Sequence, residues 1–167
     1  MGHNDNVSPA AVQSVEALGL LNAVKNFCHS YAGLVIGTGS AAKVKLTNAT
    51  DVSVKGQMFQ LDASAEVAFT ATTHDITADA NTVQEAVYLV VVDYLGAASL
   101  YMGEIATGSG NAEIPKTPEG YAVIGYVRVA VEAGSTDFDA SSDELSASHL
   151  TDTYVNLSCN PADFDQG

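Results

Sequence analysis

The 167-residue chain carries 20 acidic against 6 basic side chains, a formal net charge of −14, and 47% hydrophobic residues. That apolar fraction supports one domain with a real core and excludes a disordered chain. Residues 1–61 hold Lys25, Lys43, Lys45 and Lys55 against three acids, a net of +1, whereas residues 62–167 hold seventeen acids against Lys116 and Arg128, a net of −15. A body of that sign repels phosphates, so neither nucleic acid nor an anionic membrane is expected as a partner.

The first residues lack a basic stretch followed by an apolar one, and no window approaches the roughly 18 apolar residues of a membrane span. A soluble product without an export signal is expected. Cys28 and Cys159 lie far apart and neither belongs to a paired-cysteine motif, which argues against structural zinc. Two buried thiols are the favoured reading, with a disulfide between the N-terminal segment and the C-terminus as the alternative.

Ser8-Pro9 is a helix start, with serine as N-cap and proline where its missing N–H is harmless. Val12, Val15, Leu18, Leu21, Val24 and Phe27 follow at a spacing of three and predict an amphipathic helix. Its apolar stripe could fold back on the chain's own sheet or join neighbouring subunits. Residues 1–32 are therefore read as a helical arm and 33–167 as a β domain. Gly33 to Ser40 is glycine-punctuated and reads as a hinge. Lys43 nearby suggests a phosphate loop, but the Walker pattern needs a Gly-Lys-Ser/Thr ending that opens a helix, and Lys43-Val-Lys-Leu alternates like a strand.

Strands are predicted over 42–48, 52–55, 58–62, 67–73, 85–94, 100–105, 122–131 and 153–158. They are rich in valine and tyrosine and are separated by turn signals such as Lys55-Gly-Gln, Gly96-Ala-Ala and Gly108-Ser-Gly-Asn. The fold class is mainly β, an antiparallel sandwich or barrel of jelly-roll-like type, with the N-terminal α-helix. On the strand from Ala122, simple alternation puts Val123, Val127, Val129 and Val131 on one face and Ile124, Tyr126 and Arg128 on the other. Neither face is plainly polar, which predicts a central or covered strand.

No cluster in the sequence has the spacing of a catalytic or metal site. His3, His29, His74 and His149 are scattered, no serine sits in a Gly-x-Ser-x-Gly elbow, and a triad would have to be assembled across loops. The densest acidic run, Asp137-Phe-Asp-Ala-Ser-Ser-Asp-Glu144, offers hard oxygen ligands for Ca²⁺. It departs from an EF-hand loop at Ser142 and Ser148, and a solvated loop is the plainer reading. Tyrosines at 31, 88, 94, 101, 121, 126 and 154 could form a sugar platform, yet at strand spacing they fit a core or an interface better.

In order, the segments Ala42-Lys-Val-Lys-Leu-Thr-Asn-Ala, Val54-Lys-Gly-Gln, Ala68-Phe-Thr-Ala-Thr-Thr-His, Val87-Tyr-Leu-Val-Val-Val-Asp, Ile114-Pro-Lys-Thr-Pro-Glu-Gly, Ala122-Val-Ile-Gly-Tyr-Val-Arg-Val, Ser135-Thr-Asp-Phe-Asp-Ala and Leu150-Thr-Asp-Thr-Tyr-Val-Asn give the chain a familiar look. Across roughly residues 32–158 it resembles virion structural proteins of tailed bacteriophages. The most specific part is the Pro-x-x-Pro-x-Gly turn that leads to Ile124-Gly-Tyr-Val. The resemblance implies a capsid decoration, or cement, protein on the outer surface of the head. It would bind the major capsid protein as a homotrimer, without catalytic residues, cofactor or metal. On that reading Lys43, Lys45 and Lys55 mark the capsid-facing side, and Val12, Val15, Leu18, Leu21, Val24 and Phe27 form the intermolecular handle. The alternative is a receptor- or glycan-binding module of a head fibre or tail.

Overall fold

The computed structural model of the chain describes residues 26–157. Along them run β1 (Asn26–Cys28), β2 (Leu34–Ile36), β3 (Lys43–Leu46), β4 (Thr50–Val54), β5 (Gln57–Leu61), β6 (Glu66–Ala68), β7 (Gln84–Val92), β8 (Ala98–Met102), β9 (Ala106–Thr107), β10 (Ala122–Val131) and β11 (Leu150–Asn156). All pairings are antiparallel, in three sheets: β1-β4-β5, β2-β3-β6, and β11-β10-β7-β8 with β9 continuing beside β7. There is no α-helix among the described residues, hence none long and apolar enough to cross a membrane.

All eight strands expected from the sequence are present, seven of them within three residues of their expected ends, whereas the one expected over 67–73 stops at Ala68 and gives way to a turn. Three more appear where none was expected. Phe27 lies in β1, paired with Ser53, so the helical reading does not extend to it. The other stripe positions, Val12, Val15, Leu18, Leu21 and Val24, lie outside the described residues, as does the rest of the expected helix. The glycine-punctuated stretch read as a hinge contains β2. There Leu34 pairs with Leu46, and its N–H donates to Asn156 Oδ1 at 2.6 Å, which joins the end of β11 to the start of β2.

One core unites the sheets. Val44 and Leu46 from β3, Val52 and Val54 from β4, Tyr88 and Val90 from β7, and Val127, Val129 and Val131 from β10 are all fully buried in it. The β4–β5 hairpin closes through Lys55 and Gly56 at φ +50° and +80°, a pair of left-handed residues that matches the twist of a two-residue hairpin.

The face assignment on β10 is corrected by a β-bulge. Val123 pairs with Val91 and Gly125 with Val90, so Ile124 is the extra residue. It is Ile124 that joins Val127, Val129 and Val131 in the core, while Val123 is only half-buried. The backbone here runs close to β11: a Cβ on Gly125 would stand 2.5 Å from the Val155 carbonyl oxygen.

Behind β8 sits an aromatic knot. The rings of Phe69, His74, Tyr88 and Phe138 meet edge to face at centroid distances of 4.8–5.8 Å. His74 is buried, its Nδ1 accepts the Thr70 N–H at 2.7 Å, and its carbonyl accepts the Tyr88 hydroxyl at 2.7 Å. Burial holds its pKa below the ordinary histidine value, against weaker opposing pulls from the Leu100 backbone and Asp75. The unfolded chain therefore binds a proton near pH 6.5 that the folded chain refuses, so stability is full above that pH and declines as pH falls below it. Urea titrations at pH 7.5 and pH 5.5 are expected to give the lower midpoint at pH 5.5. In His74→Asn, whose amide oxygen replaces the Nδ1 acceptor, that difference should shrink.

Candidate functional site: a strap and groove on the second face of the large sheet

β7 is apolar on both faces because both are covered. Ala86, Tyr88, Val90 and Val92 point into the shared core, whereas Glu85, Val87, Leu89 and Val91 point the other way and are equally buried. Their cover comes from the connection between β9 and β10. The sequence Ile114-Pro-Lys-Thr-Pro-Glu-Gly120 is more than a turn into β10, for it forms a strap over this second face. Pro115 packs where a Cβ on Gly103 would stand 3.2 Å from both it and the Val87 carbonyl, and Pro118 and Tyr121 border a hollow floored by Val91. Proline suits such a segment because it has no N–H to satisfy and little freedom to lose.

An ion pair fastens the strap. Glu85 is 2% exposed, and its Oε2 accepts Arg128 Nη1 at 2.7 Å and the Ala112 N–H at 3.1 Å. Arg128 lies opposite Val87, diagonal to Glu85 on the neighbouring strand, a separation long side chains span readily. A carboxylate so buried needs these partners. Sequence reading missed the pair because 43 residues separate its members, although each is a charged residue inside a valine-rich run and so asks for a partner.

Between the strap and the β8–β9 edge runs an open groove of about 710 Å³. Tyr101, Ile105 and Ile114 offer it exposed apolar surface, with Glu104, Glu113 and Lys116 around them. Side chains of this kind can hold an extended peptide or a sugar ring through an aromatic and aliphatic floor and a polar rim.

The residues expected to face a partner are distributed as follows. Lys43 and Lys45 share the outer side of β3, and Lys43 Nζ is 3.1 Å from Glu66 Oε2. Hydrogen bonds from Thr38 and then the Lys43 ammonium hold the Glu66 carboxyl down to about 2. Lys55 is apart from them, in the β4–β5 turn, with its Nζ 5.3 Å from the Tyr94 ring centroid. The tyrosines form no common platform: Tyr88 is buried, Tyr31, Tyr94 and Tyr101 are exposed on separate elements, and Tyr121, Tyr126 and Tyr154 are half-buried.

The acidic run 137–144 is occupied with its own backbone. Asp137 accepts the Ala78 N–H at 2.8 Å, Asp139 accepts the Ser141 N–H at 2.9 Å, and Asp143 accepts the Asp139 N–H at 2.8 Å. Asp75 reaches the same loop at the Ala140 N–H, 2.9 Å away. Phe138 drives into the core between these acids. No grouping of three or more metal-ligating side chains occurs among the described residues. Melting temperatures in millimolar calcium and in EDTA are expected to coincide, and a calcium-dependent rise would restore the metal reading of this loop.

No protein-family model, curated protein or solved structure matches the chain. Function is carried by the residues and by the surface they build.

Proposed function

We propose that this is a capsid decoration protein of a tailed bacteriophage, bound as a homotrimer to the outer surface of the head, where it clamps neighbouring copies of the major capsid protein. The fold serving this role is read as a two-layer sandwich, the large sheet against the two three-stranded ones. The observation that carries the proposal is how the polar groups are used. Asp75, Asp137, Asp139, Asp143, Glu85 and His74 each accept a hydrogen bond from a backbone N–H of the protein itself, and Glu85 also pairs with Arg128. Exposed apolar side chains meanwhile stand at the groove and at the β7–β8 turn, where Leu95 is 70% exposed. Such a molecule is equipped to bind by contact. The eight segments behind the bacteriophage resemblance fall in order on β3, the β4–β5 hairpin, the end of β6 and the loop after it, β7, the strap, β10, the β10–β11 connection and β11.

A decoration protein needs no chemistry, since every contact made only in the assembled, expanded shell stabilises it by mass action. Three-fold symmetry would present three equivalent feet to three capsid subunits. The side bearing Lys43 and Lys45 is assigned to the capsid, and the acidic remainder to solvent.

Quantitative mass spectrometry of purified virions tests this directly. One copy per capsid subunit, or a fixed fraction of it, is the expected result. The groove with Tyr101, Glu104 and Glu113 favours a second reading, a glycan- or receptor-binding module of a fibre or tail, which a handful of copies per particle would support. Absence from particles would end both readings.

A further inference from the structure

The turn between β7 and β8 holds two large apolar side chains in solvent on a backbone that does not need them. Asp93 Oδ1 accepts the Leu95 N–H at 2.8 Å and the Ala97 N–H at 2.9 Å, and Gly96, at φ +81°, supplies the left-handed residue of a short hairpin. A polar pair at positions 94 and 95 would leave that turn intact. Tyr94 is nevertheless 55% exposed, and Leu95, at 70%, is the most exposed large apolar side chain among the described residues. The turn is also braced from the side, for a Cβ on Gly96 would stand 2.6 Å from the Phe59 ring, and Lys55 Nζ lies over Tyr94. Tyr94 and Leu95 thus form a stiff apolar knob with an ammonium group beside it.

We propose that this knob docks in the groove of a second copy of the chain, against Tyr101, Ile105 and Ile114. Each of these three is nearly half exposed, so the groove bears apolar surface as open as that of the knob, and its volume of about 710 Å³ suits a group of this size. The pattern of charge identifies the occupant. Lys55 accompanies the knob, whereas Glu104 and Glu113 stand at the groove. Glu119, next to the Gly120 that faces Lys55, is an acid near the knob, and Lys116 is the base at the groove. Asp93, the knob's remaining acid, is turned toward the N–H groups of its own hairpin. In a chain with 20 acids and 6 bases, most pairs of surfaces repel each other, and this pair brings unlike charges together. Within one chain the two cannot meet, because the knob sits at the turn that starts β8, and the groove runs from the far end of β8 to β9. A contact between two different surfaces closes into a ring when repeated around an axis. Three copies give the trimer of the proposed function, the one point at which the inference rests on that reading.

Sedimentation velocity of the full chain over rising concentration tests this, with Leu95→Asp and Ile114→Asp run beside it. The parent chain is expected to associate and each variant to sediment as a monomer. A monomeric parent, or either variant associating like the parent, overturns the proposal. Both side chains are exposed, so far-ultraviolet circular dichroism should not change; if one variant unfolds, Tyr94→Ser or Ile105→Ser takes its place. Disulfide trapping then identifies the occupant, in a Cys159→Ser background with buried Cys28 retained. A Leu95→Cys chain is mixed with an Ile114→Cys chain and mildly oxidised. Cross-links from position 95 to position 114 should exceed those from 95 to 95 or from 114 to 114 several-fold. An excess of like-to-like cross-links would mean a symmetric contact, and no cross-link would mean that the groove takes something other than this chain; both overturn the proposal. Sedimentation reads the isolated protein and copy number reads virions, so the contact and the decoration role can each fail without the other.

Discussion

Replacing Glu85 with alanine is expected to destabilise the protein by about 2–4 kcal/mol, because it strands Arg128 and the Ala112 N–H against a buried face. Arg128 keeps a quarter of its side chain in solvent, which places the loss below that of a fully enclosed pair. For a chain of this size such a loss lowers the melting temperature by roughly 6–14 °C. The location of the damage is equally informative. Amide exchange should accelerate at Ala112 and along the strap before it does in β10, since the strap loses its anchor while the strand keeps both neighbours. The double variant Glu85→Leu with Arg128→Met should recover much of the stability, because removing both charges removes the unpaired one. If Glu85→Ala melts with the parent protein, the ion pair does not fasten the strap.

Phe138→Ala is expected to be at least as costly, about 3–5 kcal/mol. Phe138 is fully buried, packs against Phe69, and exchanges backbone hydrogen bonds with Ile76. Truncation removes a ring's worth of contacts from a site framed by strands that cannot collapse inward. Its neighbours Asp137 and Asp139 are held by bonds that depend on Phe138 staying in place, so chemical denaturation should show a lower midpoint without a separate earlier phase. A stability within 1 kcal/mol of the parent, far below the range for such truncations, would mean that the loop 137–144 is not anchored through the core.

Much of the β framework was legible because valine- and tyrosine-rich runs bounded by glycine and proline leave few alternatives. What escaped had physical reasons. β1 was hidden inside a stripe of period three, since Phe27 continues the spacing from Val24 although it already lies in the strand that pairs with β4. β2 was hidden by glycines that mark turns on both of its sides. The bulge at Ile124 inverted the expected face of Val123, and its one sequence signal was Gly125 inside a strand run, which is a recognised sign of a bulge or a close backbone approach. The strap looked like a turn because Pro-x-x-Pro-x-Gly has turn chemistry, and nothing local reveals which surface a turn-rich segment crosses. The ion pair and the aromatic knot depend on residues brought together from distant positions. Lys43 and Lys45 could be placed on one side of a strand by alternation alone, whereas the separate position of Lys55 needed the hairpin.

The order in which strands leave the ribosome has a consequence of its own. β10 pairs on one side with β7, made some thirty residues earlier, and on the other with β11, among the last residues described. Until β11 emerges, a ten-residue valine-rich strand stands with one flank unsatisfied, the kind of template that recruits other nascent chains. Seven register pairs, from Gly125–Asn156 to Val131–Leu150, close that flank only once residues 150–156 have emerged. Chains cut short before Leu150 are thus prone to accumulate as insoluble material.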